Sequence, residues 1–479
     1  MRSRHPVVAV TLAVLIGIAA VLRGIGLNDG LWFDEILTLV LFVRPSLEQI
    51  VTEYPSSNNH PLYSVLGHLA VAAFGEEAWV LRLPAFLFGI AAVPAVYVLG
   101  RAVTDRREAL LAAVLLTVSY HHIWFSQNAR GYTALALFAT MATWLLLKGW
   151  RSGNRWCFVS YGIVAALGVY THLIMAFVVA GHTLVVAAEA WRNPAARRVL
   201  PSATAGFAVA ALGSVALYAP MAAAIYAFYS GPPLETAAVA TPAWAVLETL
   251  RGLRLGLGAV GALGAAMLFA AGLRSFWKQD RFVTGLFVVP GAVTAAALIA
   301  LQSPIRPRFF FFLSGFAVLL VVRGTTVVAG LASQALPQTI RARRSALATG
   351  LVALIVLASL ASLPYGYRHP KQDYEGAMHF VDSIATPGMP VLTAGLAVYP
   401  YREYYGRPWW PVDSESDLRE VRSAGKEVLL VYTFPEYTDA ALMRAVASEC
   451  RPLRVFPATV AGGEIVVCAI PALRAAGHD

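Results

Sequence analysis

Apolar runs close to twenty residues long, separated by short polar clusters, recur from residue 7 to residue 363. A hydrocarbon core about 30 Å thick demands such a run of a helix that crosses it, so each is read as a membrane span. They fall near 7–23, 80–100, 109–122, 132–148, 156–171, 173–191, 203–225, 254–274, 281–301, 309–331 and 346–363, about eleven in all. Two stretches break the pattern. Residues 24–78 form a long loop with seven acids and two moderately apolar pieces, 36–52 and 62–74, too short or too polar to cross, which are expected to lie as interfacial helices. After residue 364 the apolar runs shorten to strand length (VLTAGLAVY, EVLLVYTF, EIVVCAI) and alternate with helix-like pieces (DYEGAMHFVDSIA, YTDAALMRAVASEC). The expected architecture is therefore an α-helical polytopic membrane domain, 1–364, and a small α/β domain, 365–479.

Composition agrees with a membrane protein. The 479 residues are 58% hydrophobic and 13% charged, with a mean hydropathy of +0.63, against about 25% charge in soluble globular domains. That excludes a soluble enzyme, a fibrous protein and a disordered chain. The net charge of +10 is not the footprint of a nucleic-acid partner, because the basic residues form no stripe and cluster between apolar spans. Arg2 and Arg4, Arg101 with Arg106 and Arg107, Lys148 with Arg151, Arg192 with Arg197 and Arg198, Arg274 with Lys278, and Arg341 with Arg343 and Arg344 all fall on one side of the span map. The positive-inside rule makes that side cytoplasmic and puts the 24–78 loop and the C-terminal domain outside. The first span is read as an anchor and not a cleaved leader, since its apolar run is long and no clear small-residue cleavage site precedes Arg23. Cys450 and Cys468 share the external domain, where an oxidising compartment permits a disulfide between them.

The polar members of the apolar segments then carry the chemistry. Asp34 and Glu35 sit inside LWFDEILTLV, so at least one carboxylate is expected against apolar surface, where desolvation would raise its pKa and suit it to proton transfer. Downstream, NNHPLYSVLGHL, WVLRLPAFLFG, SYHHIWFSQNARGY, GVYTHLIMAF and SPIRPRFFFF place His60, Arg82, Arg130, Tyr132, His172, Arg306 and Arg308 at the same membrane face as the acid pair.

The residues resemble the polyprenyl-phosphate-sugar-dependent glycosyltransferases of the C-type membrane fold. The likeness is greatest to glycosyltransferase family 39 and its bacterial relatives, the protein O-mannosyltransferases, aminoarabinose transferases and lipopolysaccharide galacturonic acid transferases. It rests on the D-E pair, on H-P-L-Y (His60, Pro61, Leu62, Tyr63), R-L-P with Gly89 (Arg82, Leu83, Pro84), S-Q-N-A-R-G-Y (Ser126 to Tyr132), Y-T-H (Tyr170, Thr171, His172) and P-R-F (Pro307, Arg308, Phe309). The resemblance implies a donor sugar joined by a phosphodiester to a long isoprenoid, and an acceptor hydroxyl on a glycan, glycolipid or protein. It assigns the catalytic base to Asp34, with Glu35 second, in an inverting single displacement. Arginine suits the departing phosphate, which gains charge as the sugar leaves. Arg130 and Arg308 lead the candidates for that role, with Arg82, His60, Tyr132 and His172 behind them. Several relatives carry a further acid where Gln127 and Asn128 stand here, and the His121–His122 pair lies beside aromatics at an interface, so no metal is assigned and a divalent ion is left unsupported.

The C-terminal domain resembles caps on some relatives and has no glycine-rich phosphate loop, so it is read as an acceptor-binding or structural lid. Its YPYREYYGRPWW segment, Tyr399 to Trp410, suits sugar stacking or equally a packed aromatic contact. The alternative from another class is a transporter or flippase of lipid-linked sugars. That reading predicts internal repeats and charge near the bilayer midplane, and the sequence has no half-to-half repeat. A non-catalytic lipid-binding scaffold would need no carboxylate beside the arginines.

Overall fold

The computed structural model describes residues 5–231, 241–334, 344–423 and 425–472. Arg2, Arg4, Arg341 and Arg343, used above for orientation, lie outside these described residues. Among the described residues nine helices are long and apolar enough to cross a membrane, and ten if one bent pair is counted as a span. The pair is α6 (Arg106–Val118) and α7 (Tyr120–Ser126), read above as one straight run and bent here by 58°. Ser119 explains the break: its backbone is extended and its side chain caps the next helix at the His122 N–H. The expected span at 156–171 is α9 (Arg155–Thr171), whose 17 residues rise only about 26 Å at about 1.5 Å each, so the expected total of eleven is not reached by this measure.

The first helix, α1 (His5–Gly24), turns Val7, Val10, Val14 and Val21 outward, an apolar exterior that suits lipid. A buried apolar core joins α5 (Ala78–Val103), α6, α8 (Tyr132–Ser152), α9, α10 (Ile174–Arg192), α11 (Leu200–Tyr218), α14 (Arg281–Ala300) and α15 (Ser314–Gln334), and the short α12 (Ala222–Ser230) follows α11. Small residues set the closest approach. A Cβ on Gly272 or Gly324 would stand 1.9 Å from the carbonyl oxygen of Leu320 or Leu268 respectively, so α13 (Pro242–Gln279) and α15 touch backbone to backbone. Arg151 in the last turn of α8 donates to the Ala102 carbonyl of α5 and pairs with Asp280 just after α13, so the last turns of these three helices, with Arg101, Arg151 and Lys278, meet at one end of the frame.

At the other end lies the segment between α1 and α5. Its first apolar piece is divided into α2 (Phe33–Leu37), a wider π-helical turn over Thr38–Val43 and α3 (Leu47–Thr52), and its second is α4 (Pro61–Phe74). Ser46 closes the gap as the N-cap of α3, accepting from the Gln49 N–H. Beyond the last membrane helix, α16 (Arg344–Arg368), comes a five-stranded sheet of order β2-β1-β3-β5-β4. β1 (Val391–Gly395), β2 (Trp410–Val412) and β3 (Val428–Thr433) are parallel, while β4 (Arg451–Phe456) and β5 (Ile465–Ile470) add antiparallel. The expected strands and helices are all present, the latter as α17 (Tyr374–Ile384) and α19 (Ala440–Glu449), with α18 (Glu415–Arg422) between them. β2 and β4 escape a reading of apolar runs because one has three residues and the other is a largely exposed edge, RPLRVF. A disulfide joins Cys450 to Cys468 across a Cα separation of 5.8 Å, within the usual span.

One apolar cluster joins the two parts of the chain. Leu31, Ile36, Leu39 and Val43 from the first loop pack with Tyr374, Ala377 and Val381 of α17 and with Leu429, Val431 and Val467 of the sheet. Tyr401 is in the same cluster, with its ring 4.5 Å from that of Trp409 and its hydroxyl donating to the Tyr374 carbonyl, so this part of the YPYREYYGRPWW segment is a packed contact. The C-terminal sheet thus rests on the loop that holds the acid pair.

Candidate active site

Neighbouring residues on a helix point about 100° apart, so Asp34 and Glu35 cannot share one environment on the single turn of α2. Glu35 turns inward and is fully buried. Its two oxygens accept a bidentate pair from Arg82, Nε to Oε1 at 2.7 Å and NH2 to Oε2 at 2.6 Å, and Oε1 also accepts the Ala129 N–H at 2.7 Å. Arg82 spends its remaining donors on the Leu27, Asp29 and Gly30 carbonyls at 2.9, 2.7 and 3.0 Å. All five of its N–H groups are therefore used. The geometry gives Arg82 and Glu35 a different part from the expected phosphate and proton chemistry: they lock the loop after α1 onto α5 and onto the chain before α8.

The expectation of a raised carboxylate pKa also reverses. Burial pushes the Glu35 carboxyl up, but the Arg82 and Lys371 charges with the bonds from Arg82 and Ala129 outweigh it and hold the group below its ordinary 4.5. Because the folded value is depressed, this stabilisation is fully present above the unfolded value and is lost as pH falls through the folded one. Removing one partner of a buried pair typically costs about 3–5 kcal/mol. Arg82→Ala is accordingly expected to lower the thermal stability of the detergent-solubilised protein sharply at neutral pH. An unfolding midpoint equal to the parent's would contradict this lock.

Asp34 points the other way, where its Oδ2 accepts from Arg308 NH1 at 2.7 Å. Arg308 comes from the 3-10 turn Pro307–Leu313 that leads into α15. Arg130, fully buried, donates to Thr38 Oγ1 at 3.2 Å and to Asn58 Oδ1. Thr38 in turn donates to the Asp34 carbonyl at 2.8 Å, so the acid and Arg130 share one support. Behind them the rings of His60, Tyr132 and His172 form a closed triangle, with centroids 4.8, 5.3 and 5.6 Å apart. His60 Nδ1 is 3.2 Å from the Thr171 carbonyl, and Nδ1 of His172 accepts the Ile174 N–H at 3.2 Å. Burial first and then the Arg130 charge push the His60 imidazole well below its ordinary value, so it is neutral at physiological pH. Gly131 makes the triangle possible: a Cβ there would stand 2.9 Å from His60 Nδ1 and 2.8 Å from Thr171 Cγ2.

Two atoms of this cluster are conspicuous. The Nε of Arg130 and the Nε of Arg308 are buried and have no hydrogen-bond partner among the described residues. A buried unpaired donor is costly in a finished protein and is economical where a ligand supplies the acceptor. Of the expected residues, the structure brings together Asp34, His60, Arg130, Tyr132, His172 and Arg308, and sets Glu35 and Arg82 behind them.

Several members were not legible. Thr38 and Asn58 hold Arg130, and only the position of Asn58 two residues before His60 gave any hint of it. Trp32 Nε1 donates to Asn128 Oδ1 at 3.1 Å, which makes Asn128 a support for the acid turn. Lys371, from the start of the C-terminal part, lies 5.5 Å from the Trp124 ring with its Nζ on the Gln127 carbonyl. Burial lowers its pKa to about 7, against the attraction of Glu35. His122 accepts from Arg23 NH2 at 2.9 Å and is committed to that buried arginine. Among the described residues no group of three or more His, Cys, Asp or Glu is gathered as a metal set.

A helical frame with this polar cluster at one end and a mixed sheet resting upon it has relatives among solved membrane proteins. Residues 58–218 match the family model described as dolichyl-phosphate-mannose-protein mannosyltransferase, a segment that contains the H-P-L-Y, R-L-P, S-Q-N-A-R-G-Y and Y-T-H motifs. The crystal structure of ArnT from Cupriavidus metallidurans in the apo state is similar over 96% of this chain and 97% of that one, with a TM-score of 0.53 at 14% identity. ArnT bound to undecaprenyl phosphate gives 0.52 at 14% identity over the same shares. The Archaeoglobus fulgidus oligosaccharyltransferase with a tethered acceptor peptide gives 0.52 at 15% identity, over 95% of this chain and 74% of that one. No curated protein matches the chain by sequence. These likenesses give the chain the fold of the C-type membrane glycosyltransferases, and the family match over residues 58–218 points to the same group.

Proposed function

We propose that the chain transfers a sugar from a polyprenyl-phosphate donor to an acceptor hydroxyl at the outer face of the membrane. The observation that carries this reading is the pair of buried, unpartnered arginine Nε atoms, on Arg308, which donates to Asp34, and on Arg130, which shares Thr38 with it. Two guanidiniums with free donors suit the two faces of a phosphate. As the glycosidic C–O bond to that phosphate breaks, the phosphate gains a second negative charge, and Arg130 and Arg308 are placed to stabilise it. Asp34 takes the acceptor's proton while the acceptor oxygen forms its bond to the anomeric carbon from the opposite side, so the configuration inverts and no covalent enzyme intermediate forms. Arg308 is held by Asp34. A phosphate that draws Arg308 to itself frees the carboxylate for the acceptor's proton. His60, Tyr132 and His172 shape the wall, where neutral imidazoles add no competing positive charge.

The names of the structural relatives agree with such a substrate pair: ArnT was solved with undecaprenyl phosphate, and an archaeal oligosaccharyltransferase with an inhibitory peptide and a dolichol-phosphate. The transporter alternative is not favoured, since the matching family model is described as a mannosyltransferase and a structural relative is an oligosaccharyltransferase. The outer-face assignment rests on the basic residues at the frame's opposite end. Cysteine-accessibility labelling tests it: a cysteine at Glu415 is expected to react with an impermeant reagent from outside. Labelling only from the cytoplasm would overturn the orientation. Mass spectrometry of outer-surface glycans with and without the chain tests the function, with loss of one sugar substituent expected and an unchanged glycan profile as the contrary result.

A further inference from the structure

We infer that Gln372, a residue of the C-terminal part, is a positioning residue for the transfer reaction, holding the turn that presents Asp34. The inference rests on the proposed function and deepens it. A helix begins with backbone N–H groups that have no partner of their own, and α2 begins at Phe33, immediately before Asp34. Trp32, at the N-cap, supplies no side-chain cap. The Phe33 N–H instead donates to Gln372 Oε1 at 3.0 Å, across a sequence separation of 339 residues. Gln372 is 1% exposed and its own position is fixed from the far side. Its Nε2 donates to Thr433 Oγ1 at 3.1 Å and to the Gly463 carbonyl at 3.0 Å. Thr433 ends β3, and Gly463 lies just before β5. The glutamine thus transmits the position of two central strand ends to the first residue of the turn.

Neighbouring contacts act in the same direction. The Phe33 ring meets Phe434 edge-on at 6.4 Å, and Phe434 holds the left-handed backbone angle φ 51°, unusual for a bulky residue. Lys371, one residue earlier, reaches the carbonyl of Gln127 on the chain that leads to Arg130. The dipeptide Lys371–Gln372 therefore touches both backbone segments of the site, the one bearing the base and the one bearing a phosphate-binding arginine. Their separation decides whether the acceptor oxygen stands in line with the leaving phosphate, and a displacement of about 1 Å can cost on the order of 100-fold in rate.

The full-length chain, reconstituted in lipid, provides the test. Gln372→Met keeps the side chain's length and removes its acceptor, and it is expected to lower kcat by about 10- to 100-fold with donor Kd within about threefold of the parent. Gln372→Glu keeps an oxygen for the Phe33 N–H and is expected to regain part of that loss. Thr433→Val leaves Gln372 in place but loosens its anchor, and should lower kcat in the same sense by a smaller factor. Parent kcat in Gln372→Met, equal losses in Met and Glu variants, or a joint fall of kcat and donor affinity with a lowered unfolding midpoint would each overturn the inference. Asp34→Asn run alongside separates the two levels. If it abolishes transfer while Gln372→Met does not slow it, the positioning inference alone fails; if it transfers at the parent rate, the proposed function fails first.

Discussion

Replacing Asp34 by Asn is expected to leave donor binding near the parent level and to slow transfer by about 100- to 10,000-fold, the usual contribution of general-base assistance. That is about 3–5 kcal/mol of barrier at about 1.4 kcal/mol per tenfold. The amide keeps the size of the side chain and an oxygen for Arg308, whose NH1 lies 2.7 Å from Oδ2, but it cannot take up the acceptor's proton. Glu35→Gln should behave differently. Glu35 is buried against Arg82 and the Ala129 N–H, so its variant should lose stability before it loses intrinsic rate. Single-turnover kinetics beside donor titration distinguish the two. An Asp34→Asn protein that turns over at the parent rate would remove Asp34 from the mechanism.

The second large effect concerns the arginines. Arg130→Ala and Arg308→Ala are each expected to cut turnover by about 100- to 1,000-fold, the scale of losing one preorganised donor to developing charge, and to weaken donor binding as well. Lysine should rescue only in part, because an ammonium cannot reproduce a planar bidentate grip. The two sites should not respond alike in stability. Arg130 is buried and supports Thr38 and Asn58, so its loss disturbs the loop. Arg308 is partly accessible, and among the described residues its hydrogen-bonded side-chain partner is Asp34. Isothermal titration with an isoprenoid phosphate lacking the sugar checks the binding component. Parent affinity and turnover in both folded alanine variants would exclude phosphate recognition by these residues.

The membrane frame was readable because the bilayer imposes a length and a polarity on every crossing helix, and those are local properties of sequence. What escaped was the breaking of a run by one residue, as Ser119 breaks the α6–α7 pair, though its serine followed by an aromatic helix is a cap signal in retrospect. The candidate site was readable as a set of residue types that gather at one end of the frame. Its internal division was not. Nothing in the D-E pair says which acid turns inward; that is decided by Arg82, 47 residues away, whose five donors fit Glu35 and three carbonyls together. Burial alone predicted a raised carboxylate, and a bidentate guanidinium reversed the sign. Gln372 was invisible for the same reason, since its role lies wholly in a contact between chain segments 339 residues apart.

The proposed reaction breaks a glycosyl–phosphate bond and passes the sugar to a hydroxyl. The most direct measurement follows a labelled polyprenyl-phosphate sugar in vesicles containing the purified chain and a hydroxyl acceptor. Release of polyprenyl monophosphate matched by a glycoside of inverted anomeric configuration is expected, both lost in Asp34→Asn. Labelled lipid that crosses the bilayer with its sugar still attached, in vesicles where no monophosphate is released, would contradict it.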